Sequence, residues 1–331
     1  MIGLTKVELR RLFSRRLTFI AVLGALAVTG LMLFAAFDQA KPLSGEQLAS
    51  QQAGFEQAQK EWKVSGEQQV KDCLTMQADM QKSDPKANAF CTQLEPKLEN
   101  MGGKPVAKFN EMMPQIMVGG SYLLAFVGFV VGAGFVAAEF SSGSMANWLT
   151  FEPRRLRVYA SKLAAAGLGL IPVTVAVLGL LTAGVWLIIG HYASTTGTTA
   201  KVWGDVGGMA GRSVALVLAA AVVGAASGVL VRHTAAVLGI AIGYLVLVEG
   251  VLGHQALQGA RPWLLQLNVE GWLQHGTRYF VNSCQTDARG NYGCQGVEKV
   301  LSFGHSSAYL GVLVVLVVSL AALVFRRRDV S

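Results

Sequence analysis

Charge is scarce in this chain. Asp, Glu, Lys and Arg make up 15% of its 331 residues, 52% are hydrophobic, and the mean hydropathy is +0.44. Soluble domains carry about 25% charged residues, so an aqueous surface over the whole chain is excluded. There are only four cysteines and five histidines. No C-x-x-C or paired-histidine spacing joins them, which argues against a zinc site. Nothing matches G-x-x-x-x-G-K-[ST], so the chain has no phosphate-cradling loop and cannot hydrolyse ATP by that route. We expect no catalytic residues, no metal and no cofactor held by this chain.

Long apolar runs are abundant, at 17–37, 116–138, 163–190, 213–231, 235–253 and 308–325. Each is near the roughly 20 residues needed to cross about 30 Å of hydrocarbon. The expected fold class is therefore all-α: a polytopic membrane protein with six transmembrane helices, an N-terminal interfacial helix and a helical extracytoplasmic insertion. The first run follows Lys6, Arg10, Arg11, Arg15 and Arg16, as in a signal peptide. It is longer than an h-region and lacks a clean A-x-A site, so it reads as a retained span.

The charge distribution orients the spans. With the N-terminus inside, the cytoplasmic segments hold thirteen Lys/Arg against the four acids Glu8, Glu139, Glu152 and Asp329, while the outside loops balance fifteen against fifteen. The net charge of +8 thus comes from one side, as the positive-inside rule requires, and nucleic-acid binding is a poor reading of the basic balance. Residues 1–16 read as an interfacial helix with Ile2, Leu9, Leu12 and Phe13 toward the membrane and Arg10, Arg11 and Arg15 toward anionic headgroups. The rival reading is a topogenic charge cluster alone.

Residues 38–115 are too long for a connector. Two copies of Ser-Gly-Glu-Gln, at Ser44 and Ser65, match capping boxes and predict two helix starts. Leu48, Phe55 and Trp62 line the first helix. Ser83 and Pro85 predict a third, with Phe90, Leu94, Leu98 and Met101 on its face. With the second helix ending near Met80 and the third starting near Asp84, Cys73 and Cys91 would each lie about seven residues, roughly 10 Å, from the turn and face each other. Cys284 and Cys294 lie together in the last outside loop, and of three possible connectivities two local disulfides are the simplest.

Segment 254–307 carries Trp263, Trp272, Tyr279 and Phe280, suited to the headgroup level, with Leu264 and Leu267 on a short helix, and reads as a re-entrant loop. Arg232–Thr234 is a tight cytoplasmic hairpin. Gly128 and Gly132, Gly224 and Gly228, and Gly239 and Gly243 are spaced for close helix approach, and Pro172 predicts a bend in the third span. Glu249, the one formal charge inside a span, is either a residue reaching water or a partner, or a gating or substrate contact.

The stretch 139–162 organises the rest. Met145, Trp148 and Leu149 fall at i, i+3 and i+4, one apolar face of a short helix that Pro153 ends, with Arg154, Arg155, Arg157 and Lys162 following. Glu139, Gly143, Leu149, Pro153, Arg155 and Lys162, placed between the second and third of six spans, resemble the cytoplasmic loop of ABC-2 type transporter permeases. The basic N-terminal helix, outer insertion and re-entrant region fit the same layout.

That resemblance implies the transmembrane permease subunit of an ABC exporter, paired with a second permease as homodimer or heterodimer. Two copies of an ATPase subunit on separate chains would bind ATP and Mg. It makes Glu139, Phe140, Gly143, Met145, Trp148, Leu149, Glu152, Pro153, Arg154 and Arg155 the ATPase-coupling segment. Arg10, Arg11, Phe13, Arg15 and Arg16 fall on the interfacial connecting helix. The expected location is the bacterial cytoplasmic (inner) membrane, multi-pass, with both termini cytoplasmic. The cargo is expected to be amphipathic or hydrophobic: a drug, antibiotic or lipid. An ATPase-independent carrier or channel, and a non-transporting scaffold or sensor using the outer insertion, are the alternatives.

Overall fold

A computed structural model describes residues 2–83, 91, 96, 106–253, 258–286 and 292–327. The described helices are α1 (Ile2–Phe13), α2 (Arg16–Ala40), α3 (Gly45–Ser83), α4 (Phe109–Ser141), α5 (Ser144–Phe151), α6 (Arg155–Gly169), α7 (Ile171–Tyr192), α8 (Ala200–Val231) and α9 (Thr234–Gly243). After them α9 runs on as a π-helix, Tyr244–Leu252, and a 3₁₀ turn, Gln258–Trp263, leads to α10 (Leu265–Leu273). The hairpin β1 (Thr277–Thr286) and β2 (Tyr292–Leu301) precedes α11 (Phe303–Arg327). Among the described residues, six helical stretches are long and apolar enough to cross a membrane: α2, α4, α6 with α7, α8, α9 with its π extension, and α11.

The centre of the bundle is the seam between α4 and α8. A Cβ on Gly132 would lie 2.1 Å from the Ala221 carbonyl oxygen, and one on Gly224 would lie 2.2 Å from that of Phe129. Lipid offers apolar surfaces no incentive to leave it, so helices associate where small residues let backbones touch. Gly128 and Gly228 extend the contact, and the fully buried Ser121 and Ser213 hydroxyls meet inside it at 2.6 Å. Gly239 and Gly243 are different: a Cβ there meets nothing within 4 Å, so their spacing serves no approach within this chain.

The third span is interrupted just before Pro172. The helix breaks at Leu170 and restarts with the proline in its first turn, where a missing N–H costs no hydrogen bond. The tight hairpin holds too. Arg232 takes the left-handed region at φ 60°, and His233 caps α9 by accepting a hydrogen bond from the Ala236 N–H.

The insertion departs from expectation. Ser44 and Gln47 close their capping box, with hydrogen bonds of 3.0 and 3.3 Å, but Ser65 starts no helix. It lies inside α3, a single 39-residue helix about 58 Å long, where its hydroxyl donates to the Glu61 carbonyl. No proline or turn precedes Ser65, so the cap motif loses to the continuing helix. Trp62 packs over Gly66 there, within 2.7 Å of where a Cβ would be. Cys73 and Cys91 form a disulfide with Cα atoms 5.8 Å apart. The third helix expected from Ser83 and Pro85 lies outside the described residues, as do Arg328 and Asp329 in the tail.

The segment expected to be re-entrant contains a short helix, α10, and also a two-stranded antiparallel sheet that an all-helical reading does not include. Thr277 and Tyr279 face inward while Arg278 and Phe280 are exposed, the period of two expected for strands. Cys284 and Cys294 are register partners across the hairpin. Their side chains lie outside the described residues.

Candidate functional site

At the end of the bundle where α1, α5 and the start of α6 meet, five charged side chains converge in the interior. Lys162 Nζ lies 2.6 Å from Glu139 Oε2 and 2.9 Å from Glu8 Oε1. Arg15 reaches Glu139 Oε1 at 2.7 Å, and Arg11 reaches the same oxygen at 3.2 Å and Glu8 at 3.6 Å. Glu8 is fully buried, Glu139 1% exposed and Lys162 2% exposed. The cluster ties α1 and the start of α2 to α4 and α6.

Two buried carboxylates face three cations, of which Lys162 is buried while Arg11 and Arg15 reach in from the surface with side chains 32% and 24% exposed. Ring faces also meet the cations: Arg15 and Lys162 lie 5.1 and 5.3 Å from the Phe135 centroid, and Arg11 lies 5.3 Å from that of Trp148.

This placement corrects three expectations. Glu139 and Lys162 are not loop residues: α4 runs to Ser141 and α6 begins at Arg155, so both point into the bundle. Arg11 and Arg15 turn inward to carboxylates instead of outward to headgroups. Leu9 and Leu12 of α1 pack on Gly169 of α6, where no side chain intervenes, instead of on lipid.

A fourth correction concerns α5. Gly143, at φ 68°, makes the left-handed turn that joins α4 to α5. The helix ends at Phe151, ahead of Glu152 and Pro153. Its apolar face exists but is turned into the protein. Met145 is 1% exposed, Leu149 packs against the core, and Trp148 lies against Arg11. Met145 is therefore a dock for α5 and not a surface offered to a partner. The exposed side chain is Phe151, at 85%. Its neighbourhood holds the exposed Arg154 and the Arg157–Glu152 pair at 3.7 Å.

The segment is also tied to the last span. Arg155 donates to the Phe325 carbonyl at 3.5 Å, Tyr159 donates to that of Val318 at 2.8 Å, and Phe140 meets the Phe325 ring edge-on. Of the remaining interfacial residues, Arg10 and Arg16 are exposed and Phe13 is half-exposed.

At the opposite end, Glu249 is 4% exposed and fully engaged. It accepts hydrogen bonds from the Tyr244 hydroxyl at 2.7 Å and from the first two N–H groups of α10, Leu265 at 2.6 Å and Gln266 at 3.2 Å. Arg212 of α8 holds the other end of α10, donating to the Leu273 carbonyl at 2.8 Å, while the Trp272 indole donates to the Arg212 carbonyl. A carboxylate at a helix N-terminus and a guanidinium at its C-terminus both match the helix dipole. Glu249 is thus a helix clamp, and its free approach to water or cargo is not realised. Among the described residues, no group of three or more His, Cys, Asp or Glu is placed to hold a metal ion.

Sequence reasoning left out Glu8 and Arg212, which entered it only as charges to be counted. A signal for Glu8 was present: it is the lone acid of a basic helix, three residues before Arg11. Arg212 carried none.

The family model described as ABC-2 family transporter protein matches residues 10–330, from within α1 onward. No curated protein and no solved structure matches the chain. With six apolar helices, a basic end built around a short docked helix, and a match over nearly its whole length, the chain belongs to the ABC-2 transporter family and is a multi-pass membrane subunit of an ABC transporter.

Proposed function

We propose that this chain is the permease of an ABC exporter and that a separate ATPase subunit grips it at Phe151. The observation that carries the reading is the contrast within α5. Six of its eight residues are docked or polar, Ala146 offers only a methyl group, and the last presents an aromatic ring to solvent at 85%. Burying such a ring in a partner's cleft yields about 1.5–3 kcal/mol. Arg154 stands beside it for a charged contact.

Force applied at Phe151 has a stiff route inward. It passes through Trp148 to Arg11, and from Arg11 to Glu139 on α4 and Glu8 on α1, with Lys162 joining α6. In this reading ATP and Mg, held by two ATPase copies, favour one arrangement of the attached helices over another. A second permease copy, identical or different, completes the pathway. The charge asymmetry supports cytoplasmic termini in a bacterial inner membrane. The scarcity of uncommitted charge in the spans, where Glu249 is clamped, supports an amphipathic or hydrophobic cargo: a drug, antibiotic or lipid.

The test is purification of the tagged chain from its native membrane with photolabelling by an azido-ATP analogue. The wild type retains an ATP-labelled chain whose hydrolysis rises with cargo. Phe151→Glu loses that chain while still inserting, and Phe151→Leu keeps it. Full association and stimulated hydrolysis in Phe151→Glu would overturn the contact. Movement of a substrate down an ion gradient by the pure chain alone would favour a carrier instead.

A further inference from the structure

We infer that the outward face of α1 is a docking surface for anionic phospholipid headgroups, and that this surface is not the one an amphipathic reading of the sequence selects. The helix divides its charges by position. Glu8, Leu12 and, just past its end, Arg15 form the inward side, with Leu9 and Arg11 flanking it. Lys6, Val7 and Arg10 form the outward side, Phe13 stands at its edge with its ring 3.8 Å from where a Cβ on Gly169 of α6 would be, and Arg16 and Leu17 continue the side onto α2.

The outward spacings of three and four keep these residues on one stripe. Val7 is 45% exposed and Phe13 49% exposed. The two carboxylates near α1 are both turned inside, where they pair with Lys162, Arg11 and Arg15. Among the described residues, no ion pair engages Lys6, Arg10 or Arg16.

Three features favour lipid over a protein partner on this face. First, it is continuous with the exposed apolar flank of α2, where Phe19 is 64%, Ile20 63% and Leu23 49% exposed, and that flank belongs to a span. Second, half-exposed apolar groups alternate with cations, the pattern of a helix lying at the boundary between acyl chains and phosphates. Third, the free charge is of one sign only, which suits a phosphate with no balancing ammonium. The occupant is therefore an anionic phospholipid such as a phosphatidylglycerol, which Lys6, Arg10 and Arg16 grip by its phosphate while Phe13 and Val7 enter the acyl region. This inference does not depend on the ATPase contact at Phe151.

The test uses the full chain extracted from vesicles of equal phosphatidylglycerol and phosphatidylcholine, with retained lipid identified by native mass spectrometry. The wild type retains phosphatidylglycerol in excess, and the excess falls about fivefold for each cation removed in Lys6→Gln, Arg10→Gln and Arg16→Gln. Arg326→Gln with Arg327→Gln, which removes the cations at the C-terminal end of α11 on the same end of the bundle, leaves it in place. If the triple variant fails to insert, Arg10→Gln alone and the wild type at roughly 1 M salt, where charges are screened beyond about 3 Å, carry the test. Equal retention of both lipids, or an excess indifferent to Arg10 and to salt, overturns the proposal. So does a variant that keeps its lipid and instead loses a co-purifying protein, which would place a partner on this face.

Discussion

The Lys162 ammonium lies 2.6 Å from the Glu139 carboxylate, although the two residues bound what reads in the sequence as a solvent-exposed loop. Each is on a different span, and each is buried. Lys162→Met therefore leaves Glu8 with Arg11 alone, at 3.6 Å, and strips Glu139 of its shortest contact. Removing one partner of a buried pair costs about 3–5 kcal/mol, because the other charge stays desolvated. We expect a clear fall in the thermal unfolding midpoint of the purified variant in lipid nanodiscs. The double change Lys162→Met with Glu139→Gln recovers part of it by removing the stranded charge. An unshifted midpoint in Lys162→Met would show that the cluster holds nothing together.

Trp148 and Phe151 are three residues apart on α5 and separate stability from coupling. Trp148 covers Arg11 at 5.3 Å, whereas Phe151 touches solvent. Trp148→Ala should lower the unfolding midpoint, since it exposes the Arg11 side of the ion cluster and opens a cavity worth about 3–5 kcal/mol in a closed core. Phe151→Ala should leave the midpoint within error and reduce only ATPase association, measured by co-purification. The reverse pattern would mean that α5 is docked by its other face.

The six spans were legible because lipid imposes one rule on composition and length that local packing cannot override. The α4–α8 seam was legible in part for the same reason: Gly132 and Gly224 announce close approach, but Gly239 and Gly243 carry the same spacing and meet nothing. Which pairs are used depends on where the helices lie, and spacing does not encode that. The ion cluster was hidden because charges near the ends of spans were assigned to loops. The apolar windows stop at residues 138 and 163, whereas the helices run from Phe109 to Ser141 and from Arg155 onward. The i, i+3, i+4 face on α5 exists, but Met145, Trp148 and Leu149 turn it into the protein, away from the partner that their implied coupling role requires. Periodicity finds a stripe; only tertiary contacts decide whether it meets the protein or a partner. Ser65 fails similarly, because a capping motif needs a chain break before it, and α3 has none there.

The glycine contrast makes a direct comparison. Gly132→Ala puts a methyl group 2.1 Å from the Ala221 carbonyl oxygen, and Gly224→Ala puts one 2.2 Å from that of Phe129, both backbone atoms that cannot swing aside. Each should push α4 and α8 apart and lower the unfolding midpoint by the equivalent of roughly 1–3 kcal/mol. Gly239→Ala meets nothing within 4 Å and should be neutral in the isolated chain. A midpoint for Gly132→Ala equal to that of Gly239→Ala would contradict the packed seam.

The clamps on α10 should be separable by end. Glu249 accepts the N–H groups of Leu265 and Gln266, and an amide in its place has one accepting atom instead of two, so Glu249→Gln leaves an orphan donor at the first turn. Loss of a cap costs about 1 kcal/mol, and the lost charge–dipole attraction adds roughly 0.3–1 kcal/mol. Amide exchange over 265–268 should then rise by about tenfold, with little change over 271–274. Arg212→Gln should act on the far turn, where the Leu273 carbonyl loses its guanidinium, and Arg212→Lys should restore part of the charge without the directed Nε–H. Because Arg212 belongs to α8, which is locked to α4, while Glu249 sits on a π-helical stretch outside that seam, the two ends of α10 report on different parts of the bundle. Hydrogen–deuterium exchange that rose equally at both ends in both variants would mean that α10 unfolds as one unit and that neither residue holds its own end.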